Sequence, residues 1–182
     1  MFDIVFFGNI LFFILVLFSI EFWVCERSWV FDFSSCFKDY FLSDMRLYEV
    51  NEDLFRSSLA LGHCVSKDFK MGKGVAKKMK FLFGPPSPSL RLLPVGDVQV
   101  QNTPHGPIFH LITKRFFYEK PRIDQFEQAI ISFRDEILRW GIREVAVPRL
   151  GTGLDRIPWG VVKRIILAVF DGYDIDVYVH YI

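Results

Sequence analysis

Residues 148–155 constrain the fold of this chain more than any other stretch. They follow a short apolar strand pattern at 144–147 and precede a helix pattern. Gly151 and Gly153 stand one residue apart, so the backbone can turn tightly and aim several N–H groups at one point, as in an anion-binding nest. Another glycine-rich turn, residues 70–76, lies earlier in the chain and also follows a strand pattern. Two such turns in one small α/β domain indicate a ligand with two phosphates.

Length and composition indicate that the chain forms one ordered domain. Its 182 residues suffice for one domain with a proper core. The 22 basic and 21 acidic residues nearly cancel, so overall charge favours no class of partner. Cys25, Cys36 and Cys64 are odd in number and widely spaced, which predicts neither a disulfide framework nor a zinc site. A reducing compartment suits the part of the chain that contains Cys64.

The N-terminal stretch differs from the rest. Residues 4–24 are nearly all apolar, about the ~20 residues that span a bilayer. The start carries Asp3 instead of the positive charges of a secretory signal, and no small-residue cleavage site follows. Three explanations stay open: a membrane anchor, an unusual targeting segment, or sequence wrongly joined upstream of a true start at Met45. We favour the last slightly, and divide the chain into an apolar segment, 1–44, and a domain, 45–182.

Residues 45–182 alternate strand and helix patterns. Period-two alternation or short apolar runs predict strands at 46–50, 59–65, 108–113, 144–147 and 175–181, with an exposed strand around Val98 and Val100. Apolar residues at helical spacing predict helices at 74–83, 123–137 and 159–170, the second stopped by Gly141. This order predicts an α/β fold with a mixed, largely parallel central sheet and helices on both faces.

The residues that could carry chemistry follow four of these strands. They are Asp53, residues 66–74, Lys114 and residues 149–155. In an open α/β sheet the ligand binds beyond the carboxyl ends of the strands, so we expect these four regions to converge on one crevice. Each signal alone has a plainer reading: Lys114 as a solvated lysine, Asp155 as a helix N-cap. Only their coincidence in one ordered domain predicts a site.

Three segments, residues 62–76, 111–114 and 148–155, resemble the macrodomain family. They are most similar to its branch of terminal ADP-ribose protein glycohydrolases, also described as O-acetyl-ADP-ribose deacetylases. The resemblance covers about residues 46–182 in order and includes nothing in 1–44. Its most specific motifs are Ile-Thr-Lys at 112–114 and Gly-x-Gly-Leu-Asp at 151–155. It implies a macrodomain-like three-layer α/β/α fold.

The resemblance also implies the roles of particular residues. In that branch a lysine is the nucleophile and an aspartate the general acid/base, and these positions are Lys114 and Asp155. Asp53 and Leu54 would meet the adenine. The remaining ligand contacts that the resemblance implies are Ser66, Met71, Gly72, Gly74, Val75, Ala76, Arg149, Leu150, Gly151, Thr152, Gly153, Leu154 and Ile182.

The implied function is an ADP-ribose-binding hydrolase that removes mono-ADP-ribose from glutamate and aspartate side chains of proteins. Deacylation of O-acetyl-ADP-ribose is the expected companion activity, with no metal or other cofactor. We expect a monomer in the nucleus or cytoplasm, or anchored at a membrane if residues 4–24 are an anchor. The alternatives are a non-catalytic ADP-ribose reader with Lys114 misplaced, and a phosphatase acting on ADP-ribose 1″-phosphate. A related branch acts on ADP-ribosylated thymidine in DNA, and the lysine-rich run at 67–80 leaves DNA open as a partner.

Two departures from the family pattern concern the loops. Lys73 stands between two glycines where the family usually has a small residue, so its side chain either points to solvent or narrows the phosphate loop. Residues 84–94 are rich in proline where relatives continue a helix. His63 receives no catalytic role, and Cys64 is interpreted as a buried small hydrophobic residue.

Overall fold

A computed structural model describes residues 45–87 and 93–182. The apolar segment 1–44, on which the anchor and start-site hypotheses rest, lies outside the described residues. The same is true of residues 88–92 in the proline-rich stretch. None of the described helices has the length and apolar character needed to cross a bilayer.

The described residues form six strands and three α-helices. The strands are β1 (Arg46–Val50), β2 (Ala60–Ser66), β3 (Val98–Thr103), β4 (Gly106–Lys114), β5 (Glu144–Pro148) and β6 (Asp176–His180). The helices are α1 (Gly74–Phe83), α2 (Ile123–Arg139) and α3 (Trp159–Phe170), with a short 3₁₀ turn at Leu54–Arg56. The predicted order of strands and helices is therefore confirmed.

The strands form one sheet in the order β1-β6-β5-β2-β4-β3. All neighbours are parallel except β3, which runs antiparallel to β4, so the predicted mixed, largely parallel sheet is confirmed. The prediction that β3 is exposed was wrong for its first half. Val98 is 4% exposed and Gln99 is 1% exposed. The reason is that Val98 joins the core beside α2, although β3 is an edge strand.

Helices cover both faces of the sheet, giving three layers. On one face α2 and α3 bury a large core that includes Phe109, Phe133 and Ile166. On the other face α1 contributes Met79 to a smaller core. Gly62 permits the close approach of α2, because a Cβ there would lie 2.7 Å from Cζ of Phe133. The parallel strands thus present their carboxyl ends at one edge, where the connecting loops meet.

Candidate active site

A cavity of about 1090 Å³ opens at the carboxyl ends of the parallel strands. Four strands contribute their last residues to its wall: Ser66, Lys114, Pro148 and His180. Three of the four regions predicted to converge, residues 66–74, Lys114 and residues 149–155, thus meet at this cavity, whereas Asp53 does not line it. A volume of this size accommodates a small-molecule ligand with several charged groups.

Nearly all the residues predicted for the site line this one cavity. They are Ser66, Met71, Gly72, Gly74, Val75, Ala76, Lys114, Arg149, Leu150, Gly151, Thr152, Gly153, Leu154, Asp155 and Ile182. Two predicted residues do not line it. Leu54 is only 5% exposed and packs in the core beneath α1. Asp53 accepts hydrogen bonds from the Phe55 N–H at 3.2 Å and from Nζ of Lys78 at 2.7 Å, and the Lys78 bond is the main cause that lowers its pKa.

Lys114 and Asp155 form the centre of the cavity. Nζ of Lys114 lies 2.5 Å from Oδ1 of Asp155, and their side chains are only 12% and 10% exposed. The pair joins residues 41 positions apart. Lys114 reaches this place through an irregularity in the β2–β4 ladder, where the register shifts after Val65 and Ser66 comes to stand opposite Lys114. Such local bulges re-aim side chains at the ends of strands.

The first glycine-rich loop, residues 66–76, is held by its own side chains. Phe69 and Met71 adopt positive φ angles of 47° and 46°, and their side chains are 3% and 6% exposed. Oγ of Ser66 donates a short 2.5 Å hydrogen bond to Asp68. Lys73 precedes α1 without a side-chain cap, and the first residues of that helix, 74–76, line the cavity. The Lys73 side chain itself is exposed.

The second loop, residues 149–155, is held by backbone turns. The hydroxyl of Thr152 donates to the carbonyl of Arg149 at 2.8 Å, and the N–H of Ile157 donates to the carbonyl of Gly151 at 3.0 Å. Gly151 has a φ of +64°, and a Cβ there would lie 2.9 Å from side-chain atoms of both Phe126 and Ile157. Only glycine fits this position without strain.

Arg149 is fixed on several sides at the cavity wall. Its guanidinium lies 4.2 Å from the ring centre of Tyr181 and 5.6 Å from that of Trp159. It also donates to Glu49 at 3.0 Å. Hydrogen bonds from Lys163 first, and from Arg149, lower the pKa of Glu49 and keep it charged. The arrangement places a permanent cation beside the two loops.

Sequence reasoning missed a buried histidine pair behind the first loop. Nε2 of His63 lies 2.7 Å from Nδ1 of His110, and Nε2 of His110 lies 2.9 Å from Oε1 of Gln101. Burial lowers the pKa of His110 to about 4. Burial and the neighbouring His110 lower the pKa of His63 well below its ordinary value. Both rings are therefore neutral near pH 7. The sequence signal that could have found this pair is a histidine at the middle of each of two otherwise apolar strands, His63 in β2 and His110 in β4.

Other cavity residues were also missed or given a different role. Phe117, Tyr118, Glu119 and Lys120, which follow β4, line the mouth, and no motif singled them out. Cys64 also lines the cavity, and burial together with the charge of Asp155 raises its pKa to about 12. A protonated thiol is a poor nucleophile, which supports its interpretation as a small hydrophobic residue. Within residues 45–87 and 93–182, no cluster of three or more metal-ligating side chains occurs.

Comparison with known proteins identifies the family. The chain is 33% identical over 138 residues to the human ADP-ribose glycohydrolase OARD1, an alignment that covers 74% of this chain and 91% of that protein. The chain belongs to the macrodomain family. It is of the OARD1 type, and the bovine OARD1 protein matches at the same identity and coverage. The resemblance drawn from the sequence motifs is thus confirmed, although no protein-family model matches the chain.

Solved structures support the fold of this macrodomain. The macrodomain of Thermus aquaticus DarG superposes with a TM-score of 0.66 at 24% identity, covering 76% of this chain and all of that one. Thermosipho africanus DarTG, solved in complex with ADP-ribose, superposes with a TM-score of 0.64 at 21% identity. That match covers 77% of this chain and 42% of the other. At these identities the likeness shows a shared three-layer fold.

Proposed function

We propose that this macrodomain binds ADP-ribose in the cavity and removes it from the carboxylate side chains of modified proteins. The observation that carries the proposal is the Lys114–Asp155 pair, at 2.5 Å, deep in a cavity lined by both glycine-rich loops. The human relative is named an ADP-ribose glycohydrolase, and the DarTG structure holds ADP-ribose. Both support the same ligand for this chain.

The loops supply the binding part of the function. The uncapped N-terminus of α1 offers backbone N–H groups, which favour phosphate oxygens, and the glycine-rich loop 149–155 lines the same cavity. The cation of Arg149 lines the same cavity. Two phosphates of a diphosphate can therefore be held from two sides, with the distal ribose directed toward Lys114.

The pair supplies the chemistry. Asp155 is the nearest base to the ammonium of Lys114, and taking its proton frees the amine for attack on C1″ of the distal ribose. The new N–C1″ bond forms as the C1″–O bond breaks, and the protein carboxylate leaves with the electron pair. The nitrogen then loses a proton and the C1″–O4″ ring bond breaks as Asp155 protonates O4″, which gives the Schiff base. Water adds to C1″, the N–C1″ bond breaks with a proton returned to the nitrogen, and the aldehyde recloses through O4″ to release free ADP-ribose and the lysine. Deacylation of O-acetyl-ADP-ribose would use the same pocket.

The experiment compares the full chain with two variants on a protein mono-ADP-ribosylated on glutamate. Lys114→Arg keeps a cation beside Asp155 but cannot become a neutral amine, so we expect no release of ADP-ribose. Asp155→Asn should slow release by about 10²–10⁴-fold, the usual contribution of a positioned acid or base. Reduction with borohydride during turnover should trap ADP-ribose on Lys114, detected by peptide mass spectrometry.

A reader is the second candidate, because Nζ of Lys114 is held by Asp155 at 2.5 Å, and a lysine kept in that ion pair binds ligand without attacking it. Binding of ADP-ribose by the wild type without release, and no trapped adduct, would establish the reader and withdraw the catalytic roles. Release of phosphate from ADP-ribose 1″-phosphate that persists in Lys114→Arg would instead support the phosphatase.

A further inference from the structure

The mouth of the cavity carries an apolar rim formed by Phe117, Tyr118 and Leu154. Their exposed fractions are 49%, 69% and 62%, whereas Lys114 and Asp155 deeper in the cavity are nearly covered. The exposure of large apolar side chains costs solvation free energy, and a cluster of them beside a binding cavity marks an interaction surface. All three rim residues line the same cavity as Lys114 and Asp155.

The rim is fastened to both glycine-rich loops. The N–H of Phe117 donates to Asp68 at 3.3 Å, and Nζ of Lys70 lies 3.9 Å from the centre of the Phe117 ring. On the opposite side, Nζ of Lys120 donates to the carbonyl of Leu154 at 2.5 Å. The rim therefore has a defined geometry relative to Asp155, which follows Leu154 directly.

The surroundings of the rim are basic. Lys70, Lys73 and Lys120 line the same mouth, and all three are exposed. Two carboxylates lie beside the rim: Glu119 accepts a hydrogen bond from the N–H of Phe116, and Asp68 accepts one from the N–H of Phe117. Both carboxylates are therefore engaged by backbone N–H groups, whereas the three lysines are exposed. An occupant that combines apolar groups with negative charge fits this surface.

We propose that the rim binds the polypeptide that carries the ADP-ribose, and selects a large apolar or aromatic residue beside the modified carboxylate with acidic residues beyond it. This rests on the proposed function. An extended chain advances ~3.3–3.6 Å per residue, so the neighbours of a modified glutamate in the cavity reach its mouth. Side chains can pack on ring edges and on Leu154, while Lys70 already covers one face of Phe117 and Phe116 stacks on Tyr118 at 5.5 Å.

Charge complementarity favours an acidic peptide over a neutral one. A nucleic acid fits the rim less well, because nucleobases stack on open ring faces and the rim offers few of them. Binding of a nucleic acid is therefore the alternative outcome of the test. The lysines at the mouth would attract an acidic peptide and a nucleic acid alike. Only contacts with the apolar side chains of the rim distinguish the two.

The test uses the full chain and three peptides, each mono-ADP-ribosylated on one glutamate. The first has aromatic neighbours and acidic flanks, the second has glycine neighbours and the same flanks, and the third has aromatic neighbours and lysine flanks. O-acetyl-ADP-ribose serves as a substrate whose small leaving group does not reach the rim. The variant is Tyr118→Ala, with Phe81→Ala as the matched control, since Phe81 is 85% exposed on α1 and does not line the cavity.

We expect kcat/KM to be highest for the first peptide and to fall about tenfold in Tyr118→Ala, equivalent to ~1.4 kcal/mol. Phe81→Ala should leave all values unchanged, and turnover of O-acetyl-ADP-ribose should stay within about twofold of wild type in Tyr118→Ala. An equal loss on the peptides and on O-acetyl-ADP-ribose would show a merely structural role and overturn the proposal. A rim effect seen only with an ADP-ribosylated oligonucleotide would overturn it in favour of nucleic acid.

Binding separates this proposal from the proposed function. If the wild type releases ADP-ribose from no substrate, the proposed hydrolase function is wrong. The Kd values with which Lys114→Arg binds the three peptides still test whether the rim binds the polypeptide. The same order of affinities, weakened by Tyr118→Ala, would support the rim in a reader. Equal affinities for all three peptides would refute it.

Discussion

The two glycine-rich loops of this macrodomain hold their shape by opposite means. In residues 66–76, Phe69 and Met71 anchor the loop in the core, while Cβ atoms at Gly72 and Gly74 would meet nothing within 4 Å. In residues 149–155, a Cβ at Gly151 would collide with the core, so the loop depends on the absence of a side chain. Glycine in a loop therefore signals open space in one case and a packing limit in the other.

The largest expected effect comes from removing the side chain that anchors the first loop. Phe69→Ala deletes a side chain that is 3% exposed, and such truncations cost about 3–5 kcal/mol in the free energy of unfolding. The measurement is urea denaturation of the wild type and the variant. Phe81→Ala, at an 85% exposed position, should stay within about 0.5 kcal/mol of the wild type. Equal stability of both variants would show that Phe69 does not anchor the loop.

The glycines themselves form a graded series. Gly151→Ala combines a φ of +64° with contacts at 2.9 Å, and should cost about 2–4 kcal/mol through strain and overpacking. Gly74→Ala has a φ of +59° but open space, so strain alone should cost about 1–2 kcal/mol. Gly72→Ala has neither a positive φ nor a close contact, so the free energy of unfolding should hardly change. Thermal or urea unfolding of the three variants gives the order, and a larger loss at Gly72 than at Gly151 would reverse the comparison.

A further effect concerns pH and the histidine pair behind the first loop, where Phe69 lies edge-on to His110 at 6.1 Å. Burial lowers the folded-state pKa of each ring. Both histidines therefore stay neutral in the folded protein, whereas in the unfolded chain they bind protons below pH ~6.5. Stability is therefore complete above that pH and is lost as pH falls toward 4. The slope should be about 1.4 kcal/mol per pH unit for each histidine.

The slope is measured by urea denaturation between pH 7.5 and 5, which runs from about one unit above the histidine reference pKa to about one and a half units below it. His110→Gln keeps a polar side chain but does not titrate, so its slope should be smaller than that of the wild type by about one histidine's share. An unchanged slope in this variant would mean that His110 is not the titrating group.

Much of the fold was readable from local patterns. The helix over Ile123–Arg139 follows from apolar residues every three or four positions, and the convergence of Ser66 and Lys114 follows from the geometry of parallel strands. Lys114 and Asp155 were readable from a family motif, since spacing alone does not distinguish a catalytic lysine from a solvated one. Their roles remain a proposal that the trapping experiment tests.

Other features could not be read from the chain. The register shift after Val65 depends on how β2 and β4 pair, and the His63–His110 contact joins residues 47 positions apart on those strands. The hydrogen bond from Lys120 to the carbonyl of Leu154 joins residues 34 positions apart. None of these leaves a local signature, because each depends on which strands become neighbours.

By itself the sequence determined the strand and helix pattern, the two glycine-rich turns and the residues available for chemistry, because periodicity and backbone freedom are local properties. Only the tertiary structure decided that Asp53 bonds to Lys78 instead of lining the cavity, that Gly151 cannot carry a side chain, and that Phe117 and Tyr118 stand at the mouth. The physical reason is that side-chain contacts and excluded volume arise between segments distant in the chain, and packing sets them when the layers assemble.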